Sequence, residues 1–282
     1  MSRRDEPIRI SSRPPWLEAR QPFWRHQFVG GNAFMLELMA SRPREIEPNA
    51  SADTLVEAAN RARDQLRRAA RIEVATAREG QRLSLDVTVE NRAGHKFPTG
   101  HPYRRAWLQV RIADSRGRPV FESGVPDRGG ALPVPPGGFA PHWGRITRPD
   151  QVQIYEAVMG DADGRRTYGL LRARSYLKDN RIPPRGFPAG VDDDIAVKGE
   201  AAVDEDFNAQ GAGSDRVRYL VDVGRAKGPL RVNVALLYQA VPPEAVAWLD
   251  ESKGKESERF MQLHRRADKS PEVIQRIDLR LP

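Results

Sequence analysis

Two histidines, His95 and His101, lie in the glycine- and proline-rich segment 91-NRAGHKFPTGHP-102. A neutral imidazole can bind a metal or haem iron, and it can act as a general base. The prolines restrict the backbone and the glycines permit tight bends, so the segment predicts a stiff turn. The third interpretation is a turn in which both rings hydrogen-bond to the backbone. The residues alone leave these three roles open.

Metal or base chemistry at these positions needs further groups. Zinc takes three or four ligands from Cys, His, Asp and Glu, and the chain has no cysteine. His95, His101, His26 and His142 could supply zinc ligands only if the fold brings them together, and their spacing matches no zinc motif. A catalytic base would need an orienting carboxylate and a nucleophile, and no GxSxG-like context occurs. A metal-dependent hydrolase requires at least three histidines or acids within ligand distance.

A second candidate site is acidic. Calcium prefers several oxygen ligands on a loop with glycines nearby. The segment 203-VDEDFNAQGAGSD-215 offers such oxygens without the EF-hand spacing, on Asp204, Asp206, Asn208 and Asp215. A calcium site and a merely solvated acidic loop both fit this pattern.

A third polar segment, 176-YLKDNRIPPRGFP-188, combines consecutive polar residues with two prolines and a glycine. Asp179 and Asn180 can cap neighbouring backbone groups, and Arg181 can pair with a carboxylate. The pattern predicts a rigid, hydrogen-bonded corner rather than a catalytic loop.

The elements that must position these residues are mostly strands. A period of two begins near residue 72 and predicts strands at 72–77, 82–91, 106–114, 119–122, 151–159, 216–223, 229–239 and 273–281. About eight antiparallel strands with long loops predict a mainly β fold with α: a two-sheet antiparallel β-sandwich of the Ig-like kind. We expect an extended arm at 1–21, a helical segment at 22–71 and the sandwich at 72–282, with a helical excursion near 243–266.

Two helices are predicted before the sandwich. The first has Asn32 as its N-cap. The second carries an apolar stripe at helical spacing, formed by Leu55, Ala59, Ala62, Leu66 and Ala69.

Bulk properties exclude several classes. No run of 18 apolar residues occurs, so no transmembrane helix is predicted, and the first residues do not predict a signal peptide. The net charge is +8, but the arginines are scattered and no nucleic-acid-binding motif is present. An acidic partner protein or an anionic membrane surface is the expected counterpart of this charge. The absence of cysteine rules out disulfides and any CxxCH haem attachment in this chain.

The ordered segments HQFVGGN, NRAGHKFPTGHPYRRAWLQV, FESG, YLKDNRIPPRGF, DRVRYLVDV and VNVALLYQAVPP resemble the C-terminal β-sandwich region of bacterial multihaem c-type cytochromes. The resemblance covers roughly residues 23–280. It implies a periplasmic or extracellular setting and a role in electron transfer. It further implies that His26 and His95, with His101 as a third candidate, are axial ligands of haem.

This chain departs from that family because it cannot attach a c-type haem covalently. The resemblance therefore implies a non-enzymatic accessory or assembly subunit that docks on a haem-bearing partner chain. Histidines of this chain would then supply axial ligands to the haem c of the partner. Two further interpretations stay open: a degenerate relative whose sandwich persists as a scaffold, and one piece of a larger assembly. A haem-independent sandwich that binds carbohydrate or protein remains an alternative function, and it predicts an exposed aromatic strip from Trp107, Trp143 or Tyr155.

Overall fold

The computed structural model describes residues 2–25, 29–135, 138–188, 190–251 and 253–282. The chain divides into two compact units, residues 1–30 and residues 31–282. In the first unit, β1 (Ser2–Arg4) and β2 (Phe23–Arg25) form an antiparallel pair. Trp16 of this unit is 79% exposed.

Three helices open the second unit: α1 (Ala33–Ser41), α2 (Pro43–Ile46) and α3 (Ala52–Ala69). The predicted cap is confirmed, since the Asn32 side chain accepts the Met35 N–H at 3.0 Å. Four of the five residues in the stripe predicted on α3 are buried, which confirms the apolar face of this helix at Leu55, Ala59, Ala62 and Leu66.

The strands of the second unit are β3 (Ala70–Glu79), β4 (Arg82–Asn91), β5 (Arg105–Ala113), β6 (Pro119–Ser123), β7 (Arg145–Ile146), β8 (Ile154–Tyr155), β9 (Ala157–Gly160), β10 (Ser175–Asp179), β11 (Ser214–Asp222), β12 (Leu230–Gln239) and β13 (Glu272–Leu281). One sheet has the order β3-β4-β11-β7, and the other has the order β13-β12-β5-β6 with β8 beside β5. Strands β9 and β10 form a separate hairpin.

The two larger sheets bury their facing sides in one core. On β4 the alternation is complete: Leu83, Leu85, Val87 and Val89 are fully buried. They pack with residues of β5 and β12 such as Leu108 and Val234 in the same cluster. This alternation removes apolar area from water on one face only, as a sandwich sheet requires.

A smaller apolar cluster covers the outer face of the second sheet. It consists of Trp107, Leu132, Ala140, Val152, Ile154, Ala235 and Leu237. Strands β5 and β12 are therefore buried on both faces, which explains their nearly continuous apolar sequences.

The molecule is mainly β with α, and the predicted two-sheet sandwich is confirmed. Helices α4 (Pro243–Glu251) and α5 (Lys255–Arg265) form the predicted excursion between β12 and β13. The strand predicted at 151–159 is divided into β8 and β9. Within the described ranges, no helix has the length and apolar character needed to cross a bilayer.

Candidate functional site

The histidine loop, defined here as residues 91–102, connects β4 to β5 and is fastened to the segment after β10. Asn91 Nδ2 donates to the carbonyl oxygens of His95 and Ile182 at 2.7 and 2.8 Å. The Phe97 N–H donates to Ile182 O at 2.8 Å, and the Ile182 N–H returns a bond to Phe97 O at 2.7 Å. Backbone on both sides of His95 is therefore held by hydrogen bonds to buried residues.

A buried carboxylate lies beneath this loop. Asp179 is fully buried and accepts from Lys96 Nζ at 2.7 Å. Arg181 donates to both oxygens of Asp179, at 2.7 and 2.8 Å. Burial lowers the pKa of Lys96, while the adjacent Asp179 carboxylate favours its charged form. The predicted pairing of Arg181 with a carboxylate is confirmed, because Arg181 and Lys96 both pair with Asp179, although the first part of the predicted corner belongs to strand β10.

His95 projects from this rigid base into solvent. Its Nδ1 lies 3.3 Å from the Lys96 carbonyl oxygen, and a carbonyl can only accept a hydrogen bond. As a hydrogen bond, this contact places a proton on Nδ1, and in the neutral ring the Nε2 lone pair is then free. Ligating histidines in proteins usually have this arrangement, with one ring N–H donated to an acceptor and the other nitrogen available.

His101 has the opposite arrangement. The Tyr103 backbone N–H donates to His101 Nδ1 at 3.4 Å, which places the proton of a neutral ring on Nε2. The ring packs edge-on against Tyr103 at a centroid distance of 4.0 Å. Partial desolvation and the charge of Arg104 lower the pKa of His101. Its geometry is that of a turn residue, whereas His26 lies outside the described residues.

A separate buried cluster forms around His142. Its Nε2 lies 3.3 Å from Asp204 Oδ2 and 3.7 Å from Asp215 Oδ1. The ligating atoms of the three residues lie within 4.8 Å of one another. Both His142 Nε2 and Asp215 Oδ1 are buried without a hydrogen-bond partner in the described part of the chain. This spacing meets the distance condition for a metal-dependent hydrolase.

Two amides determine which nitrogen of His142 carries the proton. Gln153 Oε1 accepts the Trp143 N–H at 2.7 Å, which turns Gln153 Nε2 toward His142 Nδ1, also at 2.7 Å. Asn180 Oδ1 accepts the Glu156 N–H at 2.9 Å, and its Nδ2 lies 3.1 Å from the same Nδ1. Because Nδ1 accepts from both amides, a neutral His142 carries its proton on Nε2.

The cluster therefore suits a proton better than a metal ion. A ligating histidine needs a lone pair on the coordinating nitrogen, but His142 directs an N–H toward Asp204 and Asp215. Burial raises the pKa of Asp215 to about 7, although the Tyr155 hydroxyl donates to it at 2.7 Å. Burial also lowers the pKa of His142 to about 4. Between these two values the proton resides on Asp215 and the imidazole is neutral.

The four predicted calcium ligands do not meet at one point. Asp204 and Asp215 face His142, as described above. Asp206 pairs with Arg216, and Asn208 Oδ1 accepts the Gly213 N–H at 2.9 Å.

The exposed aromatic strip predicted by the carbohydrate-binding alternative is wrong in part, because Trp107 and Tyr155 are fully buried.

Sequence patterns gave little indication of the His142 cluster. His142 lies in a segment rich in proline and glycine, and its partners come from the distant residues Gln153, Asn180 and Asp215. One signal was available in β11, where Asp215 shares the inward phase of Val217, Tyr219 and Val221. A carboxylate in a buried phase indicates a polar partner inside the fold.

Replacing Asn91 with alanine tests whether the histidine loop depends on its side-chain bonds. We expect the free energy of unfolding to fall by about 1–3 kcal/mol, because the bonds of the Asn91 side chain to the His95 and Ile182 carbonyls are both lost, although Ile182 O keeps the Phe97 N–H as a donor. Urea denaturation measures this change. Hydrogen exchange at the Phe97 amide should accelerate in the same variant, and unchanged exchange would contradict the anchoring role.

No family model matches this chain. No curated protein matches it either. Among solved structures, the chain has a distant similarity to the crystal structure of a penta-haem cytochrome c552 from Thermochromatium tepidum, with 13% sequence identity and a TM-score of 0.43. The similarity covers 78% of this chain and 41% of that one, so the chain spans less than half of the cytochrome's length.

Proposed function

We propose that this chain is a non-catalytic accessory subunit in electron transfer. It docks on a haem-bearing chain of the multihaem cytochrome type and presents His95 as an axial ligand to one of the partner's haems. The single observation that carries the proposal is the exposed His95 ring, whose Nε2 lone pair is free. The ordered motifs around it, which resemble those of multihaem cytochromes, supply the chemical class of the partner.

The orientation of His95 suits iron ligation. Its Nδ1–H is directed to the Lys96 carbonyl at 3.3 Å, which orients the ring and leaves Nε2 facing outward as the ligating nitrogen. Axial ligands with such outer contacts are one means by which a protein sets haem potential.

The rigid loop reduces the entropic cost of ligation. Asn91 holds the His95 carbonyl, and the Phe97 and Ile182 backbones bond each other on the far side. Lys96 is fastened to the buried Asp179. A ligand whose backbone is already ordered loses less freedom on binding than one on a mobile loop.

The other described histidines are poorer candidates. His101 and His142 each accept a hydrogen bond at Nδ1, so their Nε2 atoms carry the proton. His264 is buried, with its ring packed against Phe34 and Phe260. Among the histidines whose placement is described, His95 alone combines exposure with a free Nε2.

A spectroscopic experiment tests the proposal. The chain is affinity-purified from its source cells together with the proposed haem-bearing partner, and the visible spectrum of the purified complex is recorded. We expect His95→Ala to convert one haem from six-coordinate low-spin to high-spin, because one strong-field ligand is removed. Added imidazole should restore the low-spin spectrum.

His101→Ala is the matched control, since it removes a histidine from the same loop. It should leave the haem spectrum unchanged. If His95→Ala leaves every haem low-spin, or if His101→Ala produces the larger change, the ligand assignment is wrong. Circular dichroism of each variant separates these outcomes from unfolding.

A further inference from the structure

The turn between β9 and β10 exposes two consecutive leucines. Leu170 is 50% exposed and Leu171 is fully exposed at 104%. Single exposed leucines are common on proteins, but two adjacent ones in one turn form a local apolar surface. Neither side chain contributes to the two core clusters of the fold.

This turn is ordered rather than loose. The N–H groups of Arg172 and Ala173 donate to the Gly169 carbonyl at 2.9 and 3.1 Å. The Arg174 N–H closes the hairpin on Gly160 O at 2.8 Å. The Gly169 N–H donates to Thr167 Oγ1 at 3.1 Å. The two leucines are therefore presented on a fixed backbone, which lowers the cost of binding.

Aromatic contacts support the base of the hairpin. Tyr168 packs edge-on against Tyr103 at 5.2 Å and lies 6.3 Å from the Trp248 ring. The Tyr103 hydroxyl also donates to the Tyr168 carbonyl. Because Tyr103 contacts His101 as well, the base of the hairpin adjoins the end of the histidine loop.

Positive charge without a salt-bridge partner flanks the leucines. Arg165 is neutralised by Asp161 and Asp163. Arg172 and Arg174 are exposed, and neither makes a salt bridge within the described ranges. The charge of Arg172 nevertheless reaches Asp161, whose pKa is lowered by the backbone hydrogen bond from Arg165 and also by this charge. The tip thus combines an apolar surface with two exposed guanidinium groups, and the complementary surface is an apolar cleft bordered by carboxylates.

We propose that the tip formed by residues 169–174 is a docking finger, which inserts Leu170 and Leu171 into an apolar cleft bordered by carboxylates on the haem-bearing chain. This inference rests on the proposed function and names the surface through which the partner is held. The contacts of Tyr103 with His101 and Tyr168 place the hairpin base beside the histidine loop, and this favours a protein partner over a lipid surface, since one partner can then contact both features.

A photo-crosslinking experiment in the source cells tests the finger. p-Benzoylphenylalanine replaces Leu171 in one variant and Val203, which is 84% exposed elsewhere, in a control variant. We expect an adduct that stains for covalent haem from position 171 and none from position 203. Equal adducts from both positions, or a haem-free adduct from position 171, would overturn the inference.

Affinity measurements with the purified partner refine the result. Leu171→Ser should weaken binding by about tenfold or more, the range of an apolar contact buried at an interface. Arg172→Gln with Arg174→Gln should weaken binding mainly at low salt. Arg276→Gln, an exposed arginine without a salt bridge among the described residues, is the charge control and should have little effect.

The two proposals fail in distinguishable ways. A His95-dependent spectrum without an adduct at position 171 contradicts the finger alone. A haem-staining adduct whose spectrum does not depend on His95 contradicts the ligand role alone. Binding to a lipid surface is tested by co-sedimentation with vesicles of equal parts phosphatidylcholine and phosphatidylglycerol. If the protein sediments with these vesicles and Leu171→Ser abolishes the effect, the tip binds a membrane surface and the protein-docking inference is overturned.

Discussion

Replacing Lys178 with methionine should lower the free energy of unfolding by about 3–5 kcal/mol. Lys178 is 1% exposed, and its Nζ donates to Ile154 O at 2.9 Å and to Glu156 Oε1 at 3.1 Å. Burial lowers the pKa of Lys178, while the Glu156 carboxylate favours its charge. Methionine has a similar volume but leaves Glu156 as a buried carboxylate without its partner. Chemical denaturation at pH 7 measures the loss.

The double variant Lys178→Met with Glu156→Leu is the control for this prediction. Removing both charges eliminates the uncompensated carboxylate, so stability should recover most of the difference. If Lys178→Met lowers the free energy of unfolding by less than about 1 kcal/mol, the ion pair of Lys178 and Glu156 is solvated. A double variant as unstable as the single one would attribute the loss to packing.

The His142 cluster should respond to pH in opposite ways when each partner is replaced. Asp215 has a folded pKa of about 7, above its ordinary value of 3.8, so its contribution to stability is present at low pH and is lost as pH rises through 7. His142 has a folded pKa of about 4, below its ordinary value of 6.5, so its contribution grows as pH rises from 4 to 6.5. In the intact protein the two effects largely cancel over that range.

Each variant therefore reveals the residue that remains. Relative to the intact protein, His142→Gln should become less stable as pH rises from about 4 to 6.5, and Asp215→Asn should become more stable over the same range. Each difference should amount to about 3 kcal/mol, since one pKa unit corresponds to about 1.4 kcal/mol. If the free energy of unfolding of the two variants changes with pH in the same direction, the assignment of the proton to Asp215 and of a neutral imidazole to His142 is wrong. The assignment is also wrong if the stability of the intact protein at pH 5 depends on added divalent metal.

The strands were predictable because each has one face in the core. Alternation in 82–91 and in the strands around it specifies both the element and the buried face. β10 was missed because Lys178 and Asp179 occupy buried positions where an apolar residue would have indicated a strand. Their burial depends on Glu156, Lys96 and Arg181, none of which can be assigned from local sequence.

Features of the candidate sites were predictable from the sequence only where they depend on residues that are neighbours in the chain. Glycine and proline indicated that the histidine loop is stiff, but which ring nitrogen carries a proton depends on neighbours such as the Lys96 carbonyl. The calcium prediction grouped oxygens that are close in sequence, whereas the fold groups residues from three distant segments around His142. Convergence of this kind is produced by strand pairing and is absent from any single window of sequence.

The position of Asp215 on β11 also bears on how the sheet finds its correct pairing. Asp215 is paired with Val89 of β4, and its inward phase brings it to His142. A slip of one residue would turn Arg216 and Arg218 into the core, and a slip of two would move Asp215 away from the buried imidazole and the Tyr155 hydroxyl. A buried carboxylate that weakens the folded state can thus discriminate against misaligned strands during folding. Asp215→Asn, in removing that penalty, should make the alignment of β11 with β4 less selective.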